Sequence, residues 1–368
     1  MSKNSKDIVI CSALRTSIGK LDGNHKNFQA HDLGSSVIKE ILSQSKINSE
    51  EIDEIILGQV LYGLSGQNPA RQASINAGIP KEKTALNINQ VCGSGLRAIV
   101  LGYQSIKLGS SNFIIAGGQE SMSNSNKEEI LTNGLIDAFK NYHMGVTAEN
   151  VAEKFNISKD EQDKFSLLSQ SKAINSIKSK KFSNEIVDNN EDEHPRYNLN
   201  IENLKKLKPV FKKNGTVTAG NSSGINDGAA GVLLTTRYLA EKKNLNIQGK
   251  IISWATCGVD PAFMGLGPIP STFRALDIAD WKISDVDLFE CNEAFAAQTI
   301  AVVKELKIPE EKLNVNGGAI ALGHPIGATG ARLTVTLVHE MIKRDNKRGL
   351  VTLCIGGGMG ISMCIERD

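Results

Sequence analysis

The sequence of 368 residues is long enough for two core-forming units, and its 40% apolar and 22% charged residues exclude a disordered chain. A formal net charge of +2 without a basic arm gives no reason to expect nucleic-acid binding. No stretch approaches the roughly 18 apolar residues that a membrane span needs, and the opening segment lacks a signal-peptide apolar region, so we expect a cytoplasmic protein without membrane partners.

The first half of the chain alternates strand-like and helical patterns. A buried strand is predicted at "DIVICSA", and "INSEEIDEIILGQVL" from residue 47 carries an acidic turn followed by a second apolar strand. Apolar residues then recur at three- and four-residue steps from Leu96 to Ile106, which predicts a helix that Gly109 closes. The next apolar run, "NFIIAGG", is too short for a helix and is predicted to be a buried strand.

The second half repeats this order. "GKIISWATC" from residue 249 predicts its first strand, and "ISDVDLFECNEAF" from residue 283 parallels the segment from residue 47. "GHPIGATGARLTVTLVHEMIKRDNKRGLVTLCIGGGMG" follows the same order of glycine turn, helix, short turn, strand and glycines as "CGSGLRAIVLGYQSIKLGSSNFIIAGGQE". Two similar halves in one chain indicate a duplicated α/β unit.

The duplication divides the chain into two halves and an insertion. We predict an N-terminal half of residues 1–118 plus 225–248 and a C-terminal half of residues 249–368. Residues 119–224 are polar and rich in lysine and form the predicted inserted loop subdomain, with two helical patterns of its own. Six basic residues and one acidic residue lie within 196–213, which indicates either a solvated helix face or a site for a polyphosphate ligand.

The six cysteines lie at positions 11, 92, 257, 291, 354 and 364. They contain no C-x-x-C pair and fit neither a zinc site nor a disulfide framework, so no metal is expected. Cys92 begins the predicted helix in "NQVCGSGLRAI", where free backbone N–H groups and the helix dipole favour a thiolate. Taken alone, the motif is better explained as a structural cysteine, which is the common case in a reducing cytoplasm.

Three further segments place chemically useful groups after predicted strands. His324 lies in a turn rich in glycine and proline, in "NVNGGAIALGHPIGATGAR". Cys354 begins "CIGGGMG", whose backbone N–H groups are suited to a developing oxyanion, and Asn292 lies in "CNEAFAA". Each segment alone has an ordinary structural explanation, but two halves packed face to face would bring these loops to one seam.

Together, these motifs resemble the signature blocks of the thiolase family. The blocks that carry the resemblance are "NQVCGSGLRA", "NVNGGAIALGHPIGATGAR", "CIGGGMG", "NEAFAAQ" and "GTVTAGNSSGINDGAA". The resemblance runs from "RTSIGK" nearly to the end of the chain, and "YHMG" and "VDPAFMGLGPIP" make it most similar to the short-chain biosynthetic type, the acetyl-CoA acetyltransferases. It implies an α/β fold in which duplicated halves form a five-layer α-β-α-β-α architecture.

The resemblance also implies a reversible thioester Claisen condensation of two acetyl-CoA to acetoacetyl-CoA and CoA, with no cofactor besides these CoA thioester substrates. Cys92 would be the nucleophile that becomes acetylated, His324 would activate it, and Cys354 would remove a proton from the second acetyl-CoA. Asn292, holding a water, would join His324 in an oxyanion hole for the enolate. The backbone N–H groups of Cys92 and Gly356 would bind the acetyl-enzyme carbonyl.

A CoA and pantetheine pocket is implied as well. The positions that match it are Leu135, His143, Met144, Arg196, Phe211, Ala219, Ser223, Met264, Ala294 and Phe295. Arg196 begins the basic segment, which favours the polyphosphate interpretation of that segment. Met264 and Phe295 are either ordinary core residues or the residues that restrict the acyl pocket to two- to four-carbon chains.

The sequence departs from the family pattern in three ways. The segment "NSNKEEILTNGL" is shorter than in typical biosynthetic thiolases, where the family usually carries its tetramerisation loop, so we expect a homodimer rather than a tetramer. The segment "VDNNEDEHPRYNLN" is also short, which affects the outer edge of the CoA-binding subdomain. Asn203 replaces a small hydroxyl residue, and Thr329 replaces the usual serine.

Three alternative functions are considered. A degradative 3-ketoacyl-CoA thiolase of broader chain length would keep the same catalytic residues and differ only in the shape of its acyl pocket. A decarboxylating condensing enzyme of the same fold would use a Cys-His-His or Cys-His-Asn set, and Cys354 argues against it. A catalytically silent CoA-binding or partner-binding protein would not need the complete catalytic set.

Overall fold

Ten strands and twelve α-helices alternate along residues 5–63 and 65–368, the part of the chain that the computed structural model describes. The strands are β1 (Ile8–Arg15), β2 (Gly19–Lys20), β3 (Glu54–Gly58), β4 (Thr84–Ile88), β5 (Ile114–Ser121), β6 (Asn226–Thr236), β7 (Gly249–Gly258), β8 (Leu288–Cys291), β9 (Arg348–Ile355) and β10 (Met359–Glu366). No helix within these ranges combines the length and apolar character needed to cross a membrane.

The helices include several short ones at loop positions. The α-helices are α1 (Ala30–Ser45), α2 (Pro69–Asn76), α3 (Ser94–Lys107), α4 (Lys127–Glu129), α5 (Met144–Lys154), α6 (Lys159–Lys178), α7 (Ile201–Lys205), α8 (Arg237–Lys242), α9 (Pro268–Ala279), α10 (Ala296–Leu306), α11 (Ala319–Leu322) and α12 (Thr329–Arg344). One π-helical turn (Ile130–Leu135) follows α4, and 3₁₀ turns lie at Ser49–Glu51, Pro261–Leu266, Ile283–Asp285 and Glu310–Lys312.

The strand order of the sheet shows the duplication. Its strands are ordered β4-β3-β5-β6-β1-β7-β10-β9-β8, with β2 paired to β6. β1 and β7 pair at only two positions, Val9 with Lys250 and Ile10 with Gly249, so this junction separates two halves. Going outward from the junction, each half has two antiparallel pairings followed by parallel pairing. The predicted duplication of an α/β unit is therefore confirmed.

The helices form three layers around the two halves of the sheet. α3 and α12 pack against each other between the halves and share one buried apolar cluster with strands of both. α1 and α2 cover the outer face of the N-terminal half, and α9 and α10 cover the outer face of the C-terminal half. The predicted five-layer α-β-α-β-α architecture is confirmed, and its central layer is the seam between the halves.

Two glycines allow the two central helices to begin close together. A Cβ atom at Gly95 would lie 2.9 Å from the backbone nitrogen of Ala331, and one at Gly330 would lie 2.5 Å from that of Leu96. Real Cβ atoms do not approach backbone atoms so closely, so larger residues here would force α3 and α12 apart. The glycines that follow Cys92 and His324 in sequence thus bring the two loops together in space.

The insertion occupies the connection between the paired strands β5 and β6. β5 continues to Ser121 and β6 begins at Asn226, and α4 to α7 lie between them. A buried ion-pair cluster anchors the insertion to β1, because the Arg15 guanidinium lies 2.7 Å from Glu185 and 2.8 Å from Asp192. The domain boundaries given above remain predictions.

Candidate active site

A cavity of about 310 Å³ lies where the loops of the two halves and the insertion meet. Three of the predicted catalytic residues, Cys92, His324 and Gly356, border it, and so do all ten positions predicted for the CoA pocket. The other two, Cys354 and Asn292, are completely buried. Cys354 packs in one apolar cluster with cavity-lining side chains that include Met144. The structure therefore gathers the sequence-predicted residues around one site, while their individual roles remain predictions.

Cys92 lies in a short loop between β4 and α3 whose backbone is held in an uncommon conformation. Val91 has a φ of 48°, which is unfavourable for a β-branched residue and costs of order 1–3 kcal/mol. The Ser94 hydroxyl holds the loop by donating to the Val91 carbonyl at 2.7 Å and accepting from the Gln90 N–H at 2.8 Å. Strained backbone held by such contacts is typical of functional loops.

Burial favours the protonated Cys92 thiol, in opposition to the helix N-terminus, which favours a thiolate. Burial raises the pKa of Cys92 to about 11, and the nearby Glu120 carboxylate adds to this increase. The N–H groups of Gly356 and of Cys92 itself bind the sulfur and lower its pKa, but they do not outweigh desolvation. The helix N-terminus therefore does not by itself produce a thiolate, and attack by this sulfur requires a base.

His324 is a neutral histidine held on three sides. Burial lowers the pKa of His324 to about 3, and the positive charge of Arg332 contributes. Its backbone N–H donates to Asn226 Oδ1 at 2.9 Å, and its Nδ1 lies 2.6 Å from Thr329 Oγ1. Its Nε2 lies 3.5 Å from Asn292 Nδ2. The imidazole is therefore neutral at pH 7, and one of its two ring nitrogens carries a lone pair that can accept a hydrogen bond or a proton.

Cys354 is the next-to-last residue of β9, and Asn292 directly follows β8, the parallel neighbour of β9. Burial raises the pKa of the Cys354 thiol well above its ordinary value. Cys354 is therefore a thiol at rest and a strong base once it loses its proton. The Asn292 Oδ1 atom is buried and has no hydrogen-bond partner among the described residues, so it offers an acceptor for a water.

Three side chains that the motifs did not single out as site residues hold the loops that carry the predicted catalytic residues. Glu120 accepts hydrogen bonds from the N–H of Gly327 at 2.8 Å and from Val60 and Leu61 at 3.1 Å. Two further side chains act similarly: Asn226 binds the His324 backbone, and Glu293 accepts from Ser169, Asn314 and Ile320. Glu120 lies near the end of the apolar strand β5, and Glu293 lies two residues after the apolar strand β8. An acidic residue at the end of an apolar run was the sequence signal that could have identified them.

The insertion supplies the mouth of the cavity. His143 stacks on Phe211 with ring centroids 4.5 Å apart, and Phe211 meets Phe295 edge-on at 6.2 Å. In the basic segment, Lys205 and Lys212 pair with glutamates. The exposed basic residues that form no ion pair within the described part of the chain are Lys206, Lys208 and Lys213. Positive charge therefore remains uncompensated on the insertion that lines the cavity.

Sequence comparison divides the chain at nearly the same place as the duplication. The sequence model described as "Thiolase, N-terminal domain" matches residues 8–238, and "Thiolase, C-terminal domain" matches residues 245–367. The chain is 48% identical to an acetyl-CoA acetyltransferase of Rhizobium meliloti (strain 1021), with 99% of this chain and 100% of the relative covered. That alignment spans 391 positions, more than the 368 residues of the chain, so the chain carries deletions relative to this protein.

Solved structures with the same fold include two that cover nearly the whole chain. The crystal structure of the Bacillus anthracis acetyl-CoA acetyltransferase has a TM-score of 0.95 and 39% identity, covering 99% of this chain and 100% of that one. The crystal structure of human mitochondrial 3-ketoacyl-CoA thiolase in complex with CoA has a TM-score of 0.96 and 38% identity, with 99% of each chain covered.

Proposed function

The chain belongs to the thiolase family and is an acyltransferase, and from this premise we propose that it condenses two acetyl-CoA into acetoacetyl-CoA and CoA. The observation that carries this proposal is that Cys92 and the neutral His324 border one cavity, while a second thiol, Cys354, packs against side chains that line it. One sulfur can then hold the acyl group while the other moves a proton, which a single cysteine tied up as a thioester cannot do.

In the first half-reaction, the Cys92 sulfur attacks the thioester carbonyl of acetyl-CoA and passes its proton to His324. The oxyanion forms beside the N–H groups of Cys92 and Gly356, which already face the sulfur. The bond to CoA then breaks, and the departing thiolate takes the proton of Cys354. The products are acetyl-Cys92, free CoA, a protonated His324 and a Cys354 thiolate, so protons and charge balance.

In the second half-reaction, the Cys354 thiolate removes a proton from the methyl group of a second acetyl-CoA. The enolate oxygen is stabilised by protonated His324 and by a water on Asn292, whose buried Oδ1 is otherwise unpartnered. The enolate carbon attacks the acetyl-Cys92 carbonyl, and the Cys92 sulfur leaves and recovers its proton from His324. Only acyl groups and protons move, so CoA thioesters are the sole small molecules that the proposed reaction needs.

Acetyl-CoA alone provides the direct test. Incubation followed by peptide mass mapping is expected to add one acetyl group to the peptide that contains Cys92, with acetoacetyl-CoA accumulating in solution. Acetylation elsewhere, or no acetylation, would contradict the proposal. The similarity to 3-ketoacyl-CoA thiolase makes a broader chain length the second candidate; cleavage rates that rise from four- to ten-carbon substrates would favour it, whereas we expect four-carbon substrates to react fastest.

We expect a homodimer in solution, because the segment 124–135 is short where the family carries its tetramerisation loop. In the structure this segment contains only α4 and the π-helical turn, and it ends at the cavity wall with Leu135. Light scattering at micromolar protein is expected to give about twice the 39.7 kDa chain mass. A stable tetramer would refute the expectation. We also propose a cytoplasmic location, since the reaction needs both thiols reduced.

A further inference from the structure

Thr329, the first residue of α12, binds the ring of the proposed catalytic histidine. Its Oγ1 lies 2.6 Å from His324 Nδ1 and 2.8 Å from the carbonyl oxygen of Pro325. Both Thr329 and His324 are buried, with 0% and 6% of their surface exposed. A threonine whose hydroxyl bonds the carbonyl four residues earlier in a helix has a stiff, well-defined side chain. Thr329 is therefore a fixed partner for the ring.

Counting protons around this hydroxyl determines which ring nitrogen carries a hydrogen. A threonine hydroxyl has one proton, and the Pro325 carbonyl can only accept. Two oxygens 2.8 Å apart need that proton between them, even though backbone N–H groups of Ala328 and Thr329 also point at the same carbonyl. The hydroxyl is then an acceptor toward His324, so Nδ1 must be the donor.

The contact of the second ring nitrogen of His324, Nε2, independently indicates the same Nδ1–H tautomer. A neutral imidazole has one N–H, so a proton on Nδ1 leaves a lone pair on Nε2. The atom of Asn292 that faces Nε2 is the donor Nδ2, at 3.5 Å, whereas Oδ1 faces elsewhere and has no partner among the described residues. This orientation suits a lone pair on Nε2 and would be unfavourable for an N–H there.

We propose that Thr329 is a positioning residue that fixes His324 in the Nδ1–H tautomer and so leaves Nε2 free to accept the proton of Cys92. This inference rests on the proposed function, because it explains which ring nitrogen is available to accept the proton in the acetylation step. It also explains why threonine can replace serine at this position: both supply the hydroxyl, and the additional methyl group only stiffens the side chain.

The test compares wild type with two variants, Thr329→Val and Thr329→Ser. Valine keeps the shape and removes the hydroxyl, whereas serine keeps the hydroxyl and removes the methyl group. Rapid-quench mass spectrometry measures the rate at which acetyl-CoA acetylates Cys92 within the first turnover, from pH 6 to pH 9. Binding of CoA is measured by calorimetry, and is expected to be unchanged in both variants because Thr329 does not border the cavity.

Loss of the base has a characteristic pH signature. In wild type, a neutral His324 accepts the proton throughout this range, so the acetylation rate is expected to change little with pH. In Thr329→Val, attack depends on prior ionisation of a thiol whose pKa is about 11, so the rate is expected to fall about 10²-fold at pH 7 and to rise nearly tenfold per pH unit. Thr329→Ser is expected to stay within threefold of wild type, with the same flat profile.

Several results would overturn the inference. If the acetylation rate of Thr329→Val does not change with pH, whatever its absolute value, the hydroxyl does not set the tautomer. Equal losses of acetylation rate in Thr329→Val and Thr329→Ser would show that Thr329 acts through packing instead. If Thr329→Val does not fold, ¹⁵N NMR of histidine-labelled wild type decides instead, with the His324→Asn variant identifying its signal among six histidines. A proton on Nε2 would overturn the inference, whereas failure of wild type to acetylate Cys92 would overturn the proposed function alone.

Discussion

Replacement of Cys92 by serine is expected to reduce acetyl transfer by roughly 10⁴-fold or more, the scale seen when a covalent nucleophile is removed from an intact site. A hydroxyl is a far weaker nucleophile than a thiol, and the surroundings that raise the pKa of Cys92 to about 11 would disfavour an alkoxide even more strongly. The residue is only partly buried, so the free energy of unfolding should change by no more than about 1 kcal/mol.

The measurement combines turnover, peptide mapping and urea unfolding of the same preparations. Cys257→Ser is the matched control, because Cys257 is also half-buried but lies on β7 and does not border the cavity. We expect the control to retain turnover and Cys92→Ser to lose both turnover and the acetylated peptide. Unimpaired turnover of Cys92→Ser would remove the proposed nucleophile.

The parts of the fold that could be predicted are those that local patterns determine. Apolar spacing between Leu96 and Ile106 predicts α3, which the structure begins at Ser94 and ends at Lys107. The short apolar run after it becomes β5, buried at every position. The π-helical turn at Ile130–Leu135 was not predicted, because nothing in its six-residue sequence, ILTNGL, distinguishes it from an ordinary loop.

The state of the nucleophile could not be predicted from its own segment. The helix N-terminus next to Cys92 is a local feature, and it favours the thiolate as expected. Desolvation, however, depends on atoms from elsewhere in the chain. The Ile355 side chain, for example, packs so closely against Gly93 that a Cβ added at Gly93 would lie 2.4 Å from Ile355 Cδ1. The direction of the Cys92 pKa shift is therefore determined by packing between the two halves.

The residues that hold the loop around His324 could not be predicted from local sequence patterns either. Glu120 and Gly327 are 207 positions apart in sequence and 2.8 Å apart in space, between the carboxylate oxygen and the N–H. Asn226 and His324 are 98 positions apart and joined by a 2.9 Å hydrogen bond. A buried carboxylate satisfied by three backbone N–H groups becomes visible only when the halves are assembled. Motif spacing therefore predicted candidate reacting side chains and missed the groups that hold their loops.

Replacement of Cys354 by alanine is expected to separate the two half-reactions. Cys92, His324 and the N–H groups around the sulfur remain in place, so acetyl-CoA should still acetylate Cys92, with solvent protonating the departing CoA. No base then remains to remove the methyl proton of the second acetyl-CoA, and condensation should fall by about 10³-fold, within the range for loss of a general base. The variant should accumulate as the acetyl-enzyme.

Cys364→Ala supplies the matched control for this variant. Cys364 is also completely buried and lies on β10, the antiparallel neighbour of the strand that carries Cys354, but it does not belong to the apolar cluster at the cavity. Both truncations remove the same atom from a packed core, so both should lower the free energy of unfolding by a similar amount, about 1–2 kcal/mol.

Exchange of the acetyl-CoA methyl protons in D₂O makes the role of Cys354 measurable without product formation. Wild type and Cys364→Ala are expected to exchange them, because the thiolate at position 354 removes a proton and returns a deuteron. Cys354→Ala is expected to show acetylated Cys92 without exchange. Normal condensation by Cys354→Ala would contradict the assigned base, and a loss of acetylation equal to the loss of condensation would mean that both half-reactions depend on this sulfur.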